Sequence, residues 1–163
     1  MGEPTSPTRI DRTQLVLGAL TAAGGLYFVM VGFHALPPPS RSNAPDWIGT
    51  LCGLVFFAAG LAVIARGAAG MDDREREMPA SAPPWARAVY WLAPVVASGG
   101  LAMIASWVAF GPGERLFSLS GPIGGPVGEG AGRVVLGISA ILTWLLTALL
   151  VRAGAKKFFG KQS

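Results

Sequence analysis

Charge is scarce in this chain and unevenly placed. Only 13% of the residues are Asp, Glu, Lys or Arg, and four runs, 15–36, 47–65, 88–110 and 134–151, contain none. With 52% hydrophobic residues and a mean hydropathy of +0.50, an ordinary soluble domain is excluded. Each run has about the 20 residues that a helix needs to cross a hydrocarbon core about 30 Å thick. The lack of Asp, Glu, Lys and Arg inside the runs argues against proton-coupled transporters, pumps and ion pathways, which keep a charged relay or binding group within the membrane.

Cysteine and histidine are almost as scarce. Cys52 stands alone, so the chain can form neither an internal disulfide nor a cysteine-based metal cluster. A catalytic thiol needs a base and an electropositive setting, and neither is visible around it; it fits a small apolar residue of the second span. His34, the one histidine, ends the first span just before Pro37, Pro38 and Pro39. A metal or haem site there would need strong ligands from elsewhere, and an interfacial imidazole with a local hydrogen bond is the simpler expectation. No metal, cofactor or catalytic residue is assigned.

What charge there is sets an orientation. Arg9, Arg12, Arg66, Arg74, Arg76, Arg87, Arg152, Lys156, Lys157 and Lys161 flank the spans on one side, against Arg41, Arg115 and Arg133 on the other. Basic residues resist translocation, so both termini and the middle loop are expected in the cytoplasm. Trp47, Trp85, Trp91 and Trp107 then fall near span ends, as interfacial aromatics do, whereas mid-span Trp144 is expected to pack. Residues 1–14 have the polar composition of a disordered tail. The tail 152–163 carries Arg152, Lys156, Lys157 and Lys161, equal to the net charge of +4, and is expected on anionic lipid headgroups. No basic folded domain is present to hold nucleic acid.

Small residues predict helix contacts. Gly49 and Gly53 form a GxxxG pair in the second span, and Gly53, Gly60 and Gly67 recur every seven residues; the first span has Gly18, Ala22, Gly25 and Gly32. Such faces allow close backbone approach. Pro94 is expected to kink the third span near Tyr90. Thr21, Tyr27, Thr50, Ser98, Ser106, Ser139, Thr143 and Thr147 are expected to bond between helices or to their own helix one turn back. Ala22–Leu26 echoes Ala97–Leu101 at an offset of 75, and Ala65–Ala68 echoes Val151–Gly154 at an offset of 86. These echoes fit two tandem helical hairpins, the second with 11 extra residues in its outer loop, or coincidence in a glycine-rich chain.

Two loops remain. Residues 66–87 hold the alternating charges of MDDREREM and the Pro-rich PASAPP, a solvated turn with a stiff exit. Residues 110–133, FGPGERLFSLSGPIGGPVGEGAGR, place eight glycines between 111 and 133. The loop lacks the Gly-Lys-Ser/Thr ending of a phosphate-binding loop, and turns with irregular backbone are expected. Glu114, Arg115 and Phe117 are its candidate partner contacts.

At AFGPGERLFS and GRVVLGISAIL, mainly in the second hairpin, the chain resembles an uncharacterised family of small four-span proteins of bacterial inner membranes. The resemblance implies a location and a topology and brings no active residues. Small four-helix multidrug exporters carry a membrane-embedded glutamate in their first span, which this chain lacks. The expectation is an all-α membrane protein with four transmembrane helices and no enzymatic activity, an accessory or scaffold protein that packs against a membrane partner or its own copies. A small channel or carrier for an uncharged or weakly polar solute is the alternative, and a lipid enzyme using His34 or Glu114 ranks third.

Overall fold

The computed structural model describes residues 11–37, 45–71, 77–79, 81–112, 117–118, 126–127 and 129–159. Four helices account for nearly all of them: α1 (Arg12–Gly32), α2 (Asp46–Ala68), α3 (Pro84–Phe110) and α4 (Glu129–Phe159). Among the described residues, each is long and apolar enough to span a membrane. The chain divides into two compact units, Met1–Ala97 and Ser98–Ser163.

The helices outrun the apolar stretches at several ends. Asp11 opens α1 by accepting from the backbone N–H groups of Thr13 (2.9 Å) and Gln14 (3.4 Å), an N-cap that satisfies two otherwise orphaned donors. Its own N–H donates to Gly67 O at 3.3 Å, so residues 11–14, expected in the tail, belong to the first unit. At the start of α3, Pro84 takes the first helical position, where its missing N–H costs nothing. The helix then continues through Pro94 to Phe110. The α4 helix runs 31 residues, about 46 Å, to Phe159. Part of the expected basic tail is therefore helix; residues 160–163 lie outside the described part.

Two helix ends in the first unit close with the same hydrogen-bond pattern. At the end of α2, Gly70 takes φ 65°, its N–H donates to Gly67 O (3.2 Å), and Met71 N–H donates to Arg66 O (3.1 Å). At the end of α1, His34 takes φ 59°, His34 N–H donates to Val31 O and Ala35 N–H to Met30 O, both at 2.9 Å. This is the Schellman arrangement. Glycine adopts its left-handed residue freely and histidine does so at a cost. After the α2 cap, Met71, 2% exposed, packs with Ala69 and Ala82, and Met78 and Tyr90 cover the cluster.

The pattern of burial is the reverse of a soluble core. Buried apolar positions are mostly alanine, among them Ala65, Ala86 and Ala102 at 0% exposure, and Met71 is the only large side chain fully buried among the described residues. Large apolar side chains lie outside on every helix, leucine on all four. In water such surface would be a severe aggregation liability; in lipid it is the stable arrangement, with small residues reserved for helix contacts.

Within residues 110–133 the loop is shorter than expected and not wholly irregular. Two short strands, β1 (Phe117–Ser118) and β2 (Pro126–Val127), pair antiparallel, with Phe117 opposite Val127 and Ser118 opposite Pro126. The α4 helix already begins at Glu129; acidic residues favour helix N-termini because the macrodipole is positive there.

Candidate functional site

The α1–α2 contact is built almost without side chains. A Cβ added at Gly18 would lie 2.8 Å from Gly60 O, and one at Gly60 would lie 2.7 Å from Gly18 O. Seven residues along α1 the relation repeats: Cβ atoms built on Gly25 and Gly53 would each lie 2.7 Å from the other's carbonyl oxygen. At the end of α2 that leads into the middle loop, Gly67 faces Gln14 Cβ (3.1 Å) and Asp11 O (3.2 Å), and at the other end Gly32 sits against Thr50. Real Cβ atoms essentially never lie within 3.0 Å of backbone in this way, so Gly18, Gly25, Gly53 and Gly60 set how closely the helices approach.

Gly49 takes no part in this contact. A Cβ there meets nothing within 4 Å, and the same holds for Gly24. The α2 contact row is therefore the seven-residue series Gly53, Gly60 and Gly67 rather than the Gly49–Gly53 pair. A four-residue glycine spacing is common by chance in so glycine-rich a chain, whereas the seven-residue recurrence keeps returning to one face.

In the second unit the contact between the C-terminal part of α3 and α4 is made by side chains. Trp144 Nε1 donates to Ser106 Oγ at 3.2 Å, and Ser106 Oγ donates to Ala102 O at 2.7 Å. Trp144, expected to pack, is 46% exposed and meets α3 through this hydrogen bond. Near the loop, Arg133 Nη1 donates to Gly111 O at 3.0 Å and to Ala109 O at 3.5 Å. A cation on the last carbonyls of a helix both satisfies them and complements the negative end of the macrodipole. A Cβ on Gly99 would lie at an ordinary 3.8 Å from Thr147 Cγ2. At the offset of 75, Gly99 is the counterpart of Gly24, where a Cβ meets nothing within 4 Å, and Gly100, the counterpart of Gly25, is buried as Gly25 is.

The hydroxyls behave as their own helices' partners. Thr21, Thr50, Ser106, Ser139, Thr143 and Thr147 each donate to the carbonyl four residues back, at 2.7–3.1 Å. Ser98 is buried, 7% exposed.

Where α1 passes to α2, His34 has the local polar partner expected of it, and that partner, Asp46, is one the sequence did not single out. His34 Nε2 lies 3.1 Å from Asp46 Oδ2, with both side chains largely exposed. The left-handed turn at His34 projects it toward the start of α2, where Asp46 is also well placed for the macrodipole. No group of three or more potential metal ligands occurs among the described residues. Cys52 is a half-buried free thiol.

Of the remaining candidates, Glu114, Arg115 and Lys161 lie outside the described residues, and Phe117 is placed only by its strand backbone. Arg152 and Lys156 are exposed on α4, and Lys157 follows on the same helix. No protein-family model matches the chain, and neither a curated protein nor a solved structure is significantly similar to it.

Proposed function

We propose that the chain is a non-enzymatic accessory or scaffold protein of a bacterial inner membrane, with both termini cytoplasmic, that works by packing against another membrane protein or its own copies. The observation that carries this reading is the way polar groups are used within the spans. No Asp, Glu, Lys or Arg lies in the apolar runs, and six span hydroxyls donate their protons to their own backbone. What α1 and α4 offer outward is large apolar surface, with Leu17, Leu20, Ile141 and Leu145 all more than half exposed. That surface suits lipid and neighbouring helices better than a reacting substrate. Affinity purification in mild detergent is expected to return a stoichiometric membrane partner or a defined homo-oligomer. A chain that is repeatedly recovered alone and monomeric would overturn the proposal.

A small channel or carrier for an uncharged solute is favoured by one feature, the row Ser139, Thr143 and Thr147, four residues apart on α4. Their oxygens retain acceptor capacity after donating to the backbone. Proteoliposomes that pass glycerol-sized neutral solutes faster than empty vesicles would favour it, and impermeable ones would remove it.

A further inference from the structure

The outer surface of α4, whose Ile141 and Leu145 the accessory-protein reading counts only as apolar area, also carries an order along the helix. Val134, Ile138, Ile141, Leu145 and Leu149 follow one another by steps of three and four residues and are 55–63% exposed. The same steps lead next to Arg152 and Lys156, both exposed and both helical. The row that meets α3 is a different one. It contains Arg133, Gly137 beside the Phe110 ring, and Trp144 on Ser106, and lies one residue earlier in the repeat, about 100° round the helix. The basic pair therefore caps the outward apolar stripe and not the α3 contact.

Length places the pair at headgroup depth. Residues 134–151 make about 27 Å of helix, close to the thickness of a hydrocarbon core, and the eight residues Arg152–Phe159 add about 12 Å beyond it. Two residues four apart on a helix have Cβ atoms about 5–6 Å from each other, near enough for both cationic groups to reach one phosphate. Arginine adds a planar fork that matches phosphate oxygens, while lysine supplies a point charge.

We infer that the outer face of α4 is a binding site for an anionic glycerophospholipid, its acyl chain along the stripe and its phosphate between Arg152 and Lys156. The site requires no protein partner and so stands apart from the accessory-protein proposal. The full chain, purified from nanodiscs of equal phosphatidylglycerol and phosphatidylcholine, is examined by native mass spectrometry for retained lipid. Wild type is expected to enrich phosphatidylglycerol. The double variant Arg152→Gln/Lys156→Gln should lose that enrichment roughly tenfold or more. Arg12→Gln/Arg87→Gln removes the same two charges from exposed positions on α1 and α3 and should retain the enrichment within about twofold. Equal retention of both lipids by wild type, an unchanged Arg152→Gln/Lys156→Gln variant, or an equal loss from Arg12→Gln/Arg87→Gln would each overturn the site. Circular dichroism confirms that the variants remain helical.

Discussion

Adjacent glycines in α1 have opposite surroundings. A Cβ at Gly25 would press on the backbone of Phe57 and Gly53, which cannot move without separating the helices, whereas a Cβ at Gly24 meets nothing within 4 Å. Gly25→Ala is expected to destabilise the first hairpin by about 1–3 kcal/mol, the usual range for overpacking. Gly24→Ala should be neutral or gain up to about 1 kcal/mol from helix propensity. Thermal unfolding of both variants in one detergent measures the difference, and Gly53→Ala against Gly49→Ala repeats the test across the interface. Equal effects at each pair would show that the close approach does not limit stability. Gly70 is a separate case because its φ of 65° is unfavourable for any side chain. Gly70→Ala should cost about 1–2 kcal/mol and expose the Met71 cluster to faster proteolysis.

Between α3 and α4 the elements are held by identifiable bonds rather than by backbone contact. A double-mutant cycle on Ser106→Ala and Trp144→Phe is expected to give a coupling of about 0.6 kcal/mol, typical of side-chain hydrogen bonds inside membranes. A coupling of zero would mean that the 3.2 Å bond contributes nothing net. Arg133→Gln should leave carbonyls at the end of α3 poorly satisfied and speed hydrogen exchange near Gly111, with little change at the centre of α4. The helices themselves were legible in sequence, since runs without charge and of membrane-spanning length leave few alternatives. Their ends were not: hydropathy falls where lipid ends, while helix formation continues through good helix formers such as Ala153, Ala155 and Lys156. The glycine face of α2 could be read from its seven-residue recurrence, but Gly49 could not be separated from it without the partner helix. The Arg133 cap and the Trp144–Ser106 bond join residues 22 and 38 positions apart. No local pattern announces such pairs.

For the whole molecule, the distribution of basic residues supports the proposed orientation, with both termini cytoplasmic. In a Cys52→Ala background, a cysteine at Ser120 should react with an impermeant thiol reagent in intact cells. One at Ser81, exposed in the middle loop, should react only after permeabilisation. The reverse pattern would invert the assigned topology and move the Arg152–Lys156 lipid site to the other leaflet.

The anchoring of Arg133 also has a mechanical consequence. Its guanidinium is held on the α3 carbonyls, so that end of α4 has little freedom to adjust its depth, whereas Arg152, nineteen residues and about 28 Å further along, can bend its long side chain toward water. A bilayer of unsuitable thickness would therefore strain α4 at one end only. The chain should unfold at its highest temperature in lipids whose hydrocarbon thickness is near 28 Å. In longer-chain lipids the fall should be shallower for Arg152→Leu than for wild type, because leucine lengthens the apolar span, which makes α4 a one-ended gauge of membrane thickness.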